Sequence, residues 1–91
     1  MTVRTLTVTN ALGLHARAAA RFVHAANGFA SQVRVSCRGR EMDGKSIMGL
    51  LLLGAAPGSA ITLVVDGGDE EAAIDALSAL VVRGFDEVPC A

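Results

Sequence analysis

The chain is poor in aromatic residues. Its 91 residues include three phenylalanines but no tryptophan or tyrosine, so a hydrophobic core has to be built from aliphatic side chains. A hydrophobic fraction of 52% and a charged fraction of 19% are typical of an ordered globular protein. The length suffices for one core but not for two, and we expect a single domain over residues 1–91.

A strong charge of one sign and long hydrophobic runs are also lacking. The net charge at pH 7 is −1, which gives no reason to expect nucleic acid or an anionic membrane as a partner. The longest apolar run, Leu50–Leu53 with its small neighbours, falls far short of the roughly 20 residues of a membrane span. Residues 1–10 alternate between polar and apolar, unlike a signal peptide. We therefore expect a soluble, cytoplasmic protein.

The two cysteines form no pattern typical of a metal or redox site. Cys37 and Cys90 lie far apart, outside any CxxC or Cys/His cluster. Because Cys37 alternates with Val33 and Val35, we expect a buried strand thiol, whereas Cys90 is expected to be an exposed tail residue. No metal and no cofactor are expected.

Apolar periodicity and turn residues predict seven elements in the order β-α-β-β-α-β-α. Apolar residues at helical spacing run from Ala16 to Ala26, before Asn27-Gly28. Ser46 is a good N-cap for a short helix that ends at Gly54, and residues 69–71 give the last helix an acidic first turn. Short alternating strands mixed with helices predict an α+β fold, an antiparallel sheet with helices packed on one side.

The stretch Gly13–Ala19 has the most specific chemical pattern. It places His15 where an alanine-rich helix starts, with Arg17 shortly after it. The unpaired N–H groups and the dipole of a helix start attract anions and disfavour a protonated imidazole. A neutral imidazole is a nucleophile, and a phosphate on it would meet N–H groups and a guanidinium. The stretch as a whole predicts a phosphoryl-accepting histidine, although His15 taken alone is better explained as a weak helix cap.

Arg17, Arg21 and His24 share one exposed stripe of the predicted helix, beside His15. The stripe is either a cationic patch for an acidic partner or an ordinary solvated face. His24 has no second base or ligand near it in sequence, and we expect a surface histidine.

The segment Gly39–Ser46 fits the nucleotide-binding pattern G-x-x-x-x-G-K-[ST] and lies between a predicted strand and a predicted helix. Such a loop surrounds phosphates with N–H groups, but here Glu41 and Asp43 would face the polyanion. The helix that follows is short, and the chain has no room for the parallel sheet of nucleotide hydrolases. These features argue against a nucleotide site.

Ser46 remains a candidate without that pattern, because a serine at a helix N-cap can accept a phosphate that the dipole stabilises. Ile47, Met48 and Leu51 follow it as an apolar ridge. If exposed, the ridge is a docking surface; if covered, it belongs to the core.

These motifs resemble the HPr family, the histidine-containing phosphocarriers of the bacterial phosphoenolpyruvate-dependent phosphotransferase system. The resemblance covers nearly the whole chain, with Gly13–Arg17 and Lys45–Gly49 as its specific anchors. It implies an open-faced β-sandwich of four antiparallel strands and three helices. It also implies that His15 accepts a phosphoryl group on Nδ1 from phosphorylated enzyme I and passes it to an EIIA-type protein, with Arg17 neutralising the phosphate.

The same resemblance makes Ser46 the match of a site that HPr kinase modifies in many relatives, where the added charge weakens transfer through His15. We expect a monomer and a small partner surface that both partners use in turn. Besides His15 and Arg17, that surface comprises Ala16, Ala20, Arg21, Ile47, Met48 and Leu51. The alternatives are a regulatory binding module controlled mainly through Ser46 and a small nucleotide binder at Gly39–Ser46.

One residue departs from the family pattern: Ala18 stands where the family usually has proline. Proline in the first helical turn fixes the backbone, an effect of about 0.4–1 kcal/mol, so we expect slower or retuned transfer. Ala18 also adds an N–H as a candidate phosphate ligand. Together with the ending Gly84–Glu87, it is more similar to the nitrogen-branch carrier, so both the sugar and the nitrogen branch stay open.

Overall fold

The computed structural model describes residues 1–86, which excludes Glu87 and Cys90. Its elements follow the predicted order. They are β1 (Thr2–Thr7), α1 (Ala16–Ala26), β2 (Gln32–Cys37), β3 (Arg40–Asp43), α2 (Ile47–Leu53), β4 (Ala60–Asp66) and α3 (Glu70–Val82). The predicted α+β fold, with four antiparallel strands in one sheet and three helices, is confirmed.

The strands are ordered β1-β4-β2-β3 across the sheet, and each neighbouring pair is antiparallel. The central strand β4 pairs with β1 from Thr2↔Val65 to Thr7↔Ala60. On its other side it pairs with β2, and β3 forms a hairpin with β2. The first strand of the chain therefore lies at an edge of the sheet, beside a strand that comes late in the sequence.

The two faces of the sheet differ in burial. Side chains of alternate positions in β2 and β4 are buried against the helices: Val33, Val35, Cys37, Ile61, Leu63 and Val65. Cys37 is thus the buried strand thiol that the alternation predicts. The intervening positions lie on the open face, where Arg34 pairs with Glu41 across the β2–β3 hairpin. Val3 also lies there and is 54% exposed, although it is apolar.

The helices bury the positions that their periodicity predicts. In α1, Ala19, Phe22, Val23 and Ala26 are buried, and in α3 so are Ala73, Ile74, Leu77, Leu80 and Val81. Gly54 ends α2 in the left-handed conformation, with φ of 57°. No helix among residues 1–86 is long and apolar enough to cross a membrane.

The acidic start of α3 makes specific contacts with neighbouring segments. The Asp69 carboxylate accepts hydrogen bonds from the N–H groups of Ala30 and Ser31 and from the Ser31 hydroxyl. The Ser31 hydroxyl is the main reason that the pKa of Asp69 is lowered. From the sequence, Asp69 is expected only to interact with the dipole of α3. In the structure it also links α3 to the connection between α1 and β2.

The chain turns in an unusual conformation after α3. Gly84, Phe85 and Asp86 all have positive φ, of 70°, 59° and 58°. The Phe85 side chain is fully buried, and its carbonyl oxygen accepts a hydrogen bond of 2.7 Å from the Arg21 guanidinium of α1. Burial and this hydrogen bond hold a backbone conformation that side-chain-bearing residues rarely adopt.

The connection between β1 and α1 is pressed against the end of α2. The N–H of Leu14 donates to the carbonyl oxygen of Ala55 over 2.9 Å, and the Leu14 side chain is buried. Gly13 has φ of 65°, and a Cβ atom on it would lie 2.4 Å from that same oxygen. Only glycine fits this position, because both its conformation and the space exclude a side chain.

Gly13→Ala is expected to lower the free energy of unfolding by about 3 kcal/mol in urea denaturation. The left-handed φ accounts for about 1–2 kcal/mol of this, and displacement of the Ala55 carbonyl from its hydrogen bond for the rest. Gly39→Ala is the matched control, because Gly39 has φ of 80° but no described atom within 4 Å of a Cβ. Equal losses in the two variants would show that the contact with Ala55 contributes nothing.

Glu70→Gln is expected to make the protein less sensitive to acid. Hydrogen bonds from the Thr2 hydroxyl and then from the N-terminal ammonium lower the pKa of Glu70 from 4.5 to about 2. Because the folded-state pKa is the lower one, the carboxylate stabilises the fold fully above pH 4.5, and this contribution is lost as the pH falls through 2.

The measurement is the free energy of unfolding in urea at several pH values between these limits. The wild-type protein should lose more stability than Glu70→Gln as the pH falls. Glu71→Gln removes a charge from the same helical turn but leaves both hydrogen bonds of Glu70, so it should keep the steeper wild-type slope. If the free energy of unfolding of Glu70→Gln fell with pH as steeply as that of the wild type, the assignment of this pH dependence to Glu70 would be wrong.

Candidate functional site

A compact turn presents His15 at the start of α1. The side-chain amide of Asn10 donates to the carbonyl oxygen of Gly13 over 2.7 Å, and the N–H of Gly13 donates back to Asn10 over 3.2 Å. Leu14 then anchors the chain in the core. His15 therefore follows a segment that is held on both sides, and its position relative to α1 is fixed.

His15 is the N-cap residue of α1, as the sequence predicts. Its backbone is extended, with φ of −83° and ψ of −179°, and its side chain is partly exposed. Nδ1 accepts a hydrogen bond from the backbone N–H of Arg17 over 3.3 Å. Accepting this bond requires an unprotonated Nδ1, so the nitrogen offers a lone pair at the positive end of the helix dipole.

The first turn of α1 supplies the groups around His15. Ala16 and Arg17 are exposed. Ala18 is completely buried. The N–H that donates to Nδ1 is that of Arg17. The expectation that the N–H of Ala18 binds a phosphate stays a prediction.

The predicted stripe of Arg17, Arg21 and His24 on α1 is only partly exposed to solvent. Arg17 and His24 are exposed, in agreement with the sequence. Arg21 is half-buried, and its guanidinium donates to the Phe85 carbonyl oxygen. The charge of Arg21 is partly offset, because Asp86, whose pKa is lowered mainly by its hydrogen bond with Arg83, also interacts electrostatically with Arg21.

Ser46 caps α2 as predicted, because its hydroxyl oxygen accepts from the N–H of Gly49 over 3.1 Å. The ridge that follows is exposed: Ile47 by 43%, Met48 by 67% and Leu51 by 38%. The sequence left open whether this ridge belongs to the core or is exposed as a docking surface. Its exposure shows that it does not belong to the core. α2 packs directly against α1, so the ridge belongs to a helix that neighbours the one His15 begins.

Two further exposed apolar residues were not identified from the sequence. Leu52 is 56% exposed and Leu12, in the turn before His15, is 68% exposed. Within the run Leu50–Leu53 the first and last residues are buried. Counting helical positions from the Ser46 cap would have placed Leu52 on the exposed face of α2. No local sequence signal indicates that Leu12 is exposed.

Gly39–Ser46 does not form a phosphate-binding loop. Half of it is the antiparallel strand β3, and the N–H of Lys45 donates to the side chain of Asp43. The Lys45 ammonium donates to the carbonyl oxygen of Phe29 over 2.7 Å, so the lysine faces the protein backbone. The pattern that fits a nucleotide-binding loop is therefore a chance match.

Comparison with known proteins agrees with this geometry. A family model described as the PTS HPr component phosphorylation site matches residues 2–83. Phosphocarrier protein HPr of Cupriavidus necator is 51% identical over 87 residues, which cover 96% of this chain and 98% of the relative.

Solved structures extend the likeness to the fold. HPr from Thermoanaerobacter tengcongensis superposes with a TM-score of 0.93 at 42% identity, covering 98% of this chain and 100% of the other. An HPr dimer from the same organism gives a TM-score of 0.76 at 42% identity, with coverage of 96% and 100%. The chain belongs to the HPr family, and it is a phosphocarrier of the phosphotransferase system.

Proposed function

We propose that this phosphocarrier accepts its phosphoryl group on Nδ1 of His15. Proteins of the HPr family interact with enzyme I and with EIIA-type proteins, so enzyme I is the donor and an EIIA-type protein the acceptor. The observation that carries the proposal is the placement of Nδ1 at the first turn of α1, 3.3 Å from the N–H of Arg17.

The transfer step needs a nucleophile and a place for negative charge. The lone pair of Nδ1 attacks phosphorus, a new P–N bond forms, and the electron pair of the breaking bond stays on the donor. As the lone pair of Nδ1 forms the new bond, the Arg17 N–H stops donating a hydrogen bond to Nδ1 and donates one to a phosphoryl oxygen instead. Phosphoryl groups on side chains have a charge of about −1.5 to −2, which the Arg17 guanidinium and the helix dipole offset.

The partner surface consists of the exposed side chains of α1 and α2 around His15. Ala16 and Ala20 are small and exposed, so they let a partner approach the imidazole. Met48 is the most exposed residue of the α2 ridge, and its flexible thioether adapts to two different partners. The carrier has to leave each partner quickly, so we expect an interface below about 1,200 Å², used by the two partners in turn.

Ser46 is the proposed regulatory site, and an HPr kinase is the partner that would modify it. A phosphate on this residue would lie at the start of α2, directly before Ile47 and Met48. Its charge would have to be desolvated whenever a partner covered the ridge. Regulation would then act by weakening partner binding and would leave the imidazole itself unchanged.

The cellular setting completes the proposal. The protein works as a monomer in the cytoplasm, where its partners are located, on either the sugar or the nitrogen branch of the system. Ala18 and the ending Gly84–Glu87 are the sequence features that favour the nitrogen branch. The rates of phosphorylation by the sugar-system and the nitrogen-system enzyme I would distinguish the two branches.

His15→Ala is expected to abolish phosphorylation by enzyme I and phosphoenolpyruvate with magnesium. Intact-mass measurement of the wild-type protein should show one added phosphoryl group that acid removes. His24→Ala is the matched control, because it removes the only other histidine and should be phosphorylated like the wild type. An acid-labile group on His15→Ala would refute the assignment.

The same experiment is run with the sugar-system and the nitrogen-system enzyme I separately. The enzyme that phosphorylates the wild-type protein faster identifies the branch. No phosphorylation by either enzyme would favour the alternative of a regulatory module controlled through Ser46.

Ser46→Asp is expected to slow transfer from enzyme I about tenfold at low protein concentration, because a desolvated charge costs more than 1 kcal/mol. Aspartate can still cap α2, so the fold is retained. Ser46→Ala loses the cap but adds no charge, and its transfer rate should stay near that of the wild type. If Ser46→Ala is slowed equally, the effect is structural and the proposed electrostatic regulation is wrong.

A further inference from the structure

The side chains that a peroxide oxidises most readily in this chain are those that contain sulfur. The sequence has three methionines and two cysteines, but no tryptophan or tyrosine. Cys37 is buried at the end of β2, and Cys90 lies outside the described residues. Among residues 1–86, the exposed sulfur-containing residues are therefore methionines.

The three methionines differ in their exposure. Met1 is 77% exposed and Met48 is 67% exposed. Met42, on β3, is only partly exposed and packs against the hydrophobic core. Because an oxidant has to reach the sulfur atom, we expect Met1 and Met48 to be oxidised before Met42.

Met1 and Met48 differ in where they lie. The N-terminal ammonium of Met1 forms an ion pair of 2.9 Å with Glu70, in the first turn of α3. The N-cap residue of α3 accepts a hydrogen bond from the N–H of Ser31, in the segment that follows α1. Met1 is thus linked to the segment after α1, whereas His15 precedes this helix. Met1 does not belong to the proposed partner surface.

Met48 lies in the exposed apolar ridge of α2, with Ile47 and Leu51 as its neighbours. Oxidation turns the apolar thioether of a methionine into a polar sulfoxide. A partner that covers the ridge then has to remove water from the S=O group, which costs free energy unless a new hydrogen bond replaces that water. Ile47 and Leu51 do not react with peroxide, so Met48 is the residue of the ridge that oxidation changes.

We propose that Met48 is a reversible oxidation site, at which hydrogen peroxide weakens partner binding and slows phosphoryl transfer. The inference rests on the proposed partner surface and adds to it a modification that has no net charge. It requires no kinase and leaves the nucleophile intact, because it changes neither Ser46 nor His15.

The oxidation of Met48 needs hydrogen peroxide as its only reagent. The sulfur lone pair attacks one peroxide oxygen, so an S–O bond forms while the O–O bond breaks. The second oxygen keeps the electron pair of that bond and, with both protons, leaves as water. Sulfur is oxidised by two electrons, and peroxide is reduced by the same two. A methionine sulfoxide reductase reverses the change, as two thiols become a disulfide and the sulfoxide oxygen leaves as water.

The first measurement is the order in which the methionines react. The full chain is treated with limiting hydrogen peroxide, and its peptides are analysed by mass spectrometry after successive times. Dithiothreitol, added at each time, reduces oxidised thiols but not methionine sulfoxide. Met48 should be oxidised several times faster than Met42 in the folded protein, whereas the two should react at similar rates in concentrated urea.

The second measurement is the rate of phosphoryl transfer from enzyme I, at a carrier concentration well below KM. Protein oxidised at Met48 is expected to react about tenfold more slowly than untreated protein, a change of about 1.4 kcal/mol. Methionine sulfoxide reductases for both epimers, supplied with dithiothreitol, should restore the rate. Thermal unfolding followed by circular dichroism verifies that the oxidised protein is folded.

Variants of Met48 separate its oxidation from every other reaction of peroxide. Met48→Leu keeps Met1, Met42 and both cysteines but has no sulfur in the ridge, so peroxide should not change its rate relative to its own untreated sample. Met48→Gln introduces a permanent polar group and should be slow without peroxide, by a factor similar to that of the oxidised wild type. A Met48→Gln variant as fast as Met48→Leu would contradict the proposal.

Three further results would overturn the proposal. They are equal oxidation rates of Met42 and Met48 in the folded protein, an unchanged transfer rate after oxidation of Met48, and equal slowing of Met48→Leu by peroxide. The untreated wild-type protein separates this inference from the proposed function. If enzyme I does not phosphorylate that protein, both fail. If phosphorylation is equally fast before and after oxidation, only the inference about Met48 fails.

Discussion

The contact between Gly13 and the carbonyl oxygen of Ala55 is the constraint on which the site depends. It joins the turn before α1 to the end of α2, and a Cβ atom at Gly13 would break it. Because Leu14 donates to the same oxygen, the start of α1 has one position relative to α2. His15 and the apolar ridge of α2 consequently belong to two neighbouring helices whose relative position is fixed.

The proposed phosphoryl site is formed at the start of a helix. There the backbone N–H of Arg17 donates to Nδ1 of His15, and the side chain of Arg17 is exposed. An enclosed site would strengthen these interactions but would also have to open for each partner. Backbone donors that are already oriented cost no reorganisation when a charge arrives, and the proposed acceptor His15 is partly exposed.

Most of the fold could be predicted from the sequence because its determinants are local. The buried positions of α1, such as Phe22 and Val23, follow from helical spacing, and the bounds of α2 follow from its caps at Ser46 and Gly54. What could not be predicted depends on segments that meet only in three dimensions. The hydrogen bond from Arg21 to Phe85, the role of Asp69 and the exposure of Leu12 each require knowledge of a distant neighbour. The nucleotide-binding pattern was rejected from the sequence, and the pairing of four of its residues as β3 agrees with that rejection.

The strand order has a consequence for how the protein is made. β1 pairs with β4, and the pairing of Thr2 with Val65 means that the first strand has no ladder partner until most of the chain has left the ribosome. Contacts between such distant segments close long loops and slow folding. The turn that presents His15 follows directly after β1 and rests on Ala55. A nascent chain that ends before Ala55 therefore contains the whole turn before α1 but not the support that orients it, and β1 stays unpaired until β4 has also been made.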